Sequence, residues 1–365
     1  MALTNSCTMH QRKPNWKKVK ARMKVVAAVV IVIMLITPLR NSLVPFVYWD
    51  WPNVWNELHS VRLFWILLTD LFYYIDRTPY TGSCAHIHPH LEPLNKLHVE
   101  RFVSYSEEDF YAAVERVKAR YSQEDLWKLD HFKPSLTPEE QREMRYSLLT
   151  LTSALDLFNV TYFVACGTLI GAHRHHGFIP WDDDADILIK ASEWELAREV
   201  LSCVPDFSLN MGRDYMWKFM WNKSKFWKWE DFIRFPFIDI FPYNEDDNHV
   251  WPLTIWMKWE VLWRKQDIFP PSRLPLEGYE VNVPHNPGRT LSNNFGDVRA
   301  VCASRKYKRK ERQSFPHKER VMVPCSMLYG IYPFVFEKNV SGTERPVQQL
   351  RLGERVLSEY TPHTS

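Results

Sequence analysis

Three aspartates, Asp182, Asp184 and Asp186, recur two residues apart in the run Trp181-Asp-Asp-Asp-Ala-Asp186. On an extended chain all three side chains fall on one face, and Asp183 points to the other. Like charges on one face repel, and a divalent cation removes that cost. Carboxylate oxygens suit Mg²⁺ or Mn²⁺, hard ions that take one or two carboxylates together with substrate phosphates. Asp239 is the natural further ligand, because it stands alone between Ile238 and Ile240 in an apolar run where an unpaired carboxylate is costly. Upstream, Gly167-Thr168 opens the stretch GTLIGAHRHHGFIPW. A glycine there lets a phosphate approach the backbone, and a helix starting behind it supplies N–H donors. Arg174 and His175 are candidate phosphate contacts, although a structural role suits them too. The set Asp182, Asp184, Asp186 and Asp239 beside Gly167 and Thr168 is a parts list for metal-assisted phosphoryl transfer. A solvated acidic turn or a Ca²⁺ loop are the bland alternatives for WDDDAD. The Ca²⁺ loop would need a central glycine and a later Glu that are missing.

The elements that must hold these groups are legible around them. Thr137-Pro138-Glu139-Glu140 is a capping box, and Met144, Leu148, Leu151, Leu155 and Phe158 then line one helix face. Val160 to Cys166 reads as a buried strand that holds the Cys166 thiol, and Gly167-Thr168 ends it. Leu169 to Arg174 reads as a short helix, and Asp184 to Ile189 as a second strand. Ser192 caps a helix carrying Trp194, Leu196, Ala197 and Val200, and Phe235 to Tyr243 is a later strand. This order predicts an α+β fold, a mixed sheet with flanking helices. If the Asp239 strand pairs with the Asp184 strand, the carboxylates meet at one rim. The aromatic stretch Trp217–Trp229 suits either the core or an acceptor surface.

The chain has 365 residues with a net charge of +3. Seven of the 46 Lys/Arg lie in residues 1–24, which hold no acid, so the rest carries more acid than base. That balance excludes a general nucleic-acid footprint. One basic run, Arg305 to Arg320, reads as a solvated loop or as a phosphate or anionic-glycan contact. After the basic tail comes an apolar run at 25–39, about 22 Å long as a helix. Lys24 and Arg40 can snorkel at its ends, and no small-x-small cleavage site follows. This predicts a type II signal anchor, single-pass, in a Golgi or ER membrane, with the remainder lumenal; a cleaved signal peptide is the rival. A second apolar run, Val61 to Ile75, is interrupted by Arg62 and Asp70 and reads as an amphipathic or core helix. Sequons at Asn159, Asn222 and Asn339 fit a lumenal location, as do Cys84, Cys203, Cys302 and Cys325, which can pair there, whereas Cys7 stays cytoplasmic. Cys84, His86, His88 and His90 are a weak zinc pattern. The expected organisation is a basic tail (1–24), an anchor (25–39), a stem (40–136), a catalytic domain (137–300) and a C-terminal extension (301–365).

GTLIGAHRHHGFIPWDDDAD resembles the signature of the LicD family, which includes bacterial phosphocholine transferases and animal fukutin and fukutin-related proteins. FIDIFPY at 237–243, the segment at 267–287 and NNFGD at 293–297 resemble its later parts, so the likeness runs over about 140–297. The departures, at Cys166, His173, Ala185 and Phe295, remove no expected ligand. The resemblance implies a nucleotidyltransferase-like fold, with its glycine motif at Gly167-Thr168 and metal ligands at Asp184, Asp186 and Asp239. It also implies transfer of a phospho-alcohol, such as phosphocholine or phosphoribitol, from a CDP-linked donor to a glycan or glycoprotein. A non-catalytic glycan-binding or chaperone-like lumenal protein using the same pocket is the alternative.

Overall fold

The computed structural model describes residues 75–98 and 104–362 apart from short breaks at 213–214, 255–256, 258–261, 306, 316–318 and 340–345, together with Lys24 and Asp70. Residues 75–365 form one compact unit and residues 1–74 another. The anchor expected at 25–39, nearly all of the basic tail, the helix expected over 61–75 and the stem up to 74 lie outside the described residues. Among the described residues no helix is long and apolar enough to cross a membrane.

Helices α1 (Glu107–Val117) and α2 (Gln123–Asp130) each start at a serine capping box. Helix α3 (Pro138–Leu157) starts where the sequence predicts it, with the Thr137 hydroxyl accepting from the Glu140 N–H and Glu140 reaching back to the Thr137 N–H. Its predicted face is the buried one, Met144, Leu148, Leu151 and Leu155, and Phe158 is the C-cap. Strand β1 is only Tyr162–Val164, and helix α4 runs from Cys166 to His175. The strand therefore stops earlier than its apolar run suggests. Cys166 opens the helix, half-buried and with φ +46, rather than sitting inside the strand.

Strand β2 is Asp186–Lys190, shorter than the predicted strand because Asp182 to Asp184 form the loop that leads into it. Helix α5 (Trp194–Ser202) is capped by Glu193 after a 3₁₀ turn, not by Ser192, and Leu196 faces solvent while Trp194, Ala197 and Val200 are buried. Strands β3 (Phe207–Met211), β4 (Trp217–Phe226), β5 (Arg234–Glu245), β6 (His249–Pro252) and β7 (Trp263–Arg264) complete a mixed sheet in the order β1-β2-β5-β4-β3, with β6 and β7 beyond β5. Only β2 and β5 pair in parallel; the other ladders of this sheet are antiparallel. The predicted α+β class with a mixed sheet is what forms. Helix α5 covers one side through Trp194, whose ring stacks on Trp217 at 3.7 Å between centroids. Trp217 and Trp227 are thus core residues, whereas Trp229 is exposed.

A hairpin of β8 (Ser272–Leu276) and β9 (Tyr279–Val283) precedes helix α6 (Pro287–Phe295). The C-terminal part adds β10 (Val301–Ala303), the small hairpin β11 (Tyr307–Lys308) and β12 (Gln313–Ser314), β13 (Met322–Pro324), and a meander β14 (Phe334–Lys338), β15 (Val347–Leu352) and β16 (Arg355–Tyr360). The described end of the expected stem and the expected extension are not appendages. Phe110, Leu129 and Phe132 share one buried cluster with Ile179, Trp181, Cys302, Val323 and Tyr332. Burial of this apolar surface joins both flanks to the loop that carries the acids. Two disulfides fix the periphery. Cys84–Cys203 ties the 75–98 segment to the end of α5, and Cys302–Cys325 closes the β10-to-β13 loop. Cys84 is thereby unavailable as a zinc thiolate.

Candidate active site

The strand pairing that the sequence leaves conditional is present. Asp186 and Asp239 are direct partners on the parallel pair β2/β5, and Lys218 on β4 faces Asp239 from the other side. Neighbouring partners in a sheet project to the same face, so acid, acid and lysine stand in one row. Asp186 is 6% exposed and Asp239 is fully buried. The Lys218 Nζ lies 2.5 Å from Asp239 Oδ1 and 3.8 Å from the Phe237 ring centroid. Desolvation pulls the Lys218 pKa down and Asp239 opposes it.

Helix α4 brings the glycine motif to this row. Its N-cap Ala165 donates to the Asp186 carbonyl at 3.1 Å, and the Asp186 N–H donates to the Thr168 hydroxyl at 2.8 Å. Thr168, 1% exposed, thus locks the helix start to the start of β2. Gly167 is required by space: a Cβ there would lie 2.7 Å from Asp182 Oδ2 and 3.9 Å from Asp184 Oδ1. Those two carboxylates therefore hang over the first turn of α4. Asp182 and Asp184 thus stand at Gly167, while Asp186 and Asp239 pair across β2/β5. Asp183 is buried and accepts from the Lys310 N–H at 3.2 Å.

Burial and mutual repulsion show in the proton affinities. Desolvation, then Asp184 and Asp183, holds Asp182 well above the usual carboxylate range. Desolvation, then Asp184, does the same for Asp186, with Asp239 and Asp182 adding to it against Arg309. Asp183 is pushed up to about 6, again by desolvation first and Asp184 second.

Arg174 and His175 bond to the C-terminal part, and His175 also lines the cavity beside Asp182 and Asp184. The Arg174 guanidinium donates to the Val298 carbonyl at 2.8 Å and to His175 Nε2 at 3.0 Å, under the Trp181 ring. The His175 Nδ1–H donates to the Pro333 carbonyl at 2.7 Å. Desolvation lowers the Arg174 pKa to about 9 and keeps His175 neutral. Both residues lock α4 onto the C-terminal part.

Sequence reading misses three basic groups. Lys218 hides among the aromatics of β4. Arg309 and Lys310 come from the tip of the β11/β12 hairpin, inside the basic run that the sequence does flag. Arg309 Nε is 2.5 Å from Asp184 Oδ2, and its Nη1 is 3.2 Å from Asp239 Oδ2. Burial works against its charge, but Asp184, Asp239 and Asp186 outweigh that and raise its pKa. Lys310 Nζ pairs with Glu140 at 2.7 Å.

Among the described residues no three His, Cys, Asp or Glu side chains are drawn to metal-ligand spacing. The guanidinium keeps Asp184 and Asp239 apart. The donor set nonetheless fits a hard divalent cation: it is all carboxylate oxygen, and the buried Asp186 Oδ1 has no hydrogen-bond partner among the described residues. Beside the acids opens a cavity of about 400 Å³, lined by Asp182, Asp184, Tyr105, Gln141, Arg145 and Glu277. Arg145 Nε is 3.0 Å from Glu277 Oε2 within it.

Residues 159–286 match the nucleotidyltransferase domain family described as LicD/FKTN/FKRP. A stretch of 61 residues is 43% identical to the lipopolysaccharide cholinephosphotransferase LicD of Haemophilus influenzae. It covers 16% of this chain and 23% of that relative.

Proposed function

We propose that the chain transfers a phosphate-linked alcohol from a CDP-activated donor to a hydroxyl of a glycan or glycoprotein. Asp184, Asp186 and Asp239 would hold Mg²⁺ or Mn²⁺. The observation that carries this reading is the Asp186–Asp239 register pair with Asp184 and Gly167 beside it, inside the family-matched segment. The relative's printed activity, cholinephosphotransferase, supports a phospho-alcohol as the transferred group.

When bound, the ion screens the donor phosphates and the charge that develops on them. Gly167 lets the Asp182 carboxylate lie close against the start of α4, whose free N–H groups suit a phosphate. The acceptor hydroxyl oxygen bonds to the phosphorus that carries the alcohol, the bond from that phosphorus to the oxygen of CMP breaks, and CMP leaves. Asp182 takes the hydroxyl proton or serves as a further ligand. The cavity beside Asp182 and Asp184 is the place for the alcohol. The two disulfides and the exposed Asn159, Asn222 and Asn339 support a lumenal, oxidising compartment, with the 25–39 anchor as the membrane tether.

The test is release of CMP by the purified full chain with Mn²⁺, a panel of CDP-alcohols and a glycan acceptor. Asp184→Asn is expected to lower turnover by about 100-fold or more. Glycan binding without CMP release from any donor would instead favour the non-catalytic alternative.

A further inference from the structure

Arg309 occupies an unusual place for a residue of a C-terminal basic run. One guanidinium touches two carboxylates from separate elements, Asp184 in the loop before β2 and Asp239 in β5, at 2.5 and 3.2 Å. Asp239 is fully buried and Asp184 partly so, and two carboxylates on one guanidinium need a cation between them. A divalent ion would draw their oxygens to about 2.1 Å from its centre, into the space the guanidinium fills. Guanidinium and ion therefore exclude one another. Lys218 is the poorer candidate for exchange, since its ammonium is buried on Asp239 and against the Phe237 ring.

The backbone around Arg309 is pinned while its side chain reaches inward. The Trp227 Nε1–H donates to the Arg309 carbonyl at 2.9 Å. Lys310 is paired with Glu140 at 2.7 Å, and Arg312 with Glu230 at 2.6 Å, its guanidinium 4.0 Å from the Trp227 ring centroid. The hairpin tip can stay docked while the Arg309 side chain rotates about its own bonds. A guanidinium released from two carboxylates at a phosphate site has an obvious new partner, because its planar fork matches phosphate oxygens.

The geometry points to Arg309 as a resident counter-ion that holds the cation position between Asp184 and Asp239. It is exchanged for the divalent ion as the donor's diphosphate arrives to receive the guanidinium. This role rests on the metal-dependent reading above. It makes metal and nucleotide binding mutually favourable, because each removes an obstacle to the other.

The experiment is calorimetric titration of the full chain with MnCl₂, alone and with saturating CMP, in the native protein, Arg309→Gln and Arg309→Lys. Native protein is expected to bind Mn²⁺ about tenfold more tightly with CMP than without. Arg309→Gln is expected to bind Mn²⁺ alone about tenfold more tightly than native protein and to lose most of the CMP effect. Arg309→Lys keeps the charge but not the fork, and serves if the Gln variant folds poorly. It is expected to fall between the two in Mn²⁺ affinity and to lose the CMP effect. Equal or weaker Mn²⁺ binding in Arg309→Gln, or an undiminished CMP effect in Arg309→Lys, overturns the role. If Arg309→Gln tightens Mn²⁺ while no CDP-alcohol is turned over, the counter-ion role stands and the transfer reading falls. If Mn²⁺ binds neither protein, the counter-ion role falls together with metal dependence.

Discussion

At the scale of single residues, Asp183 offers the cleanest measurement because it is buried and held by backbone donors from the hairpin. Its pKa rises from an ordinary 3.8 to about 6, so the folded protein binds its proton more tightly than the unfolded chain does. Stability contributed by that proton is present at low pH and is lost as pH climbs from about 4 through 6. Urea unfolding in EDTA should show native protein losing roughly 2–3 kcal/mol relative to Asp183→Asn over that window. The His173, His175 and His176 contributions run the opposite way and are common to both proteins, whereas Asp182, whose proton affinity Asp183 raises, adds to the difference. A flat difference across the window would show that Asp183 titrates normally. Asp184, Asp186 and Asp239 were legible because period-two spacing and an acid in an apolar run are local signals. Lys218 and Arg309 were not, because a lysine among aromatics and an arginine 125 positions from Asp184 announce no partner.

At the scale of elements, the helix of the capping box and the strands of the acids follow from local chemistry, and their edges do not. Helix α4 starts at Cys166 because Ala165 and Thr168 are tied to Asp186, a contact made only after β2 is in place. The β11/β12 hairpin is more obscure still: two-residue strands have no periodicity to read, and its position comes from Trp227, Glu140 and Glu230. It hangs from the loop closed by Cys302–Cys325. Replacing both cysteines by serine is expected to lower stability by about 3 kcal/mol, since the open loop regains chain entropy. Tryptophan fluorescence should report the change at Trp227, and Mn²⁺ affinity should move toward that of Arg309→Gln. An unchanged melting midpoint would mean the hairpin needs no staple.

At the scale of the whole molecule, residues 75–365 behave as one unit because both flanks of the family-matched segment enter its core. Composition and spacing showed a globular α+β chain, but not that Phe110 and Tyr332 would share a cluster, since long-range packing leaves no local pattern. The asparagines of all three sequons, Asn159, Asn222 and Asn339, are exposed. In secretory expression the chain is expected to carry glycosidase-sensitive mass that falls stepwise with Asn→Gln at each. Mass spectrometry finding all three bare would remove that support for a lumenal location.

The distance along the chain between the acids and Arg309 also sets an order of events during synthesis. A ribosome delivers Asp182 to Asp239 long before it delivers residue 309, and the cysteine that closes the hairpin's loop comes later again, at 325. Until then the nascent chain carries the carboxylates without the guanidinium that separates them. Docking of the hairpin is therefore a late step that the last sixth of the chain brings.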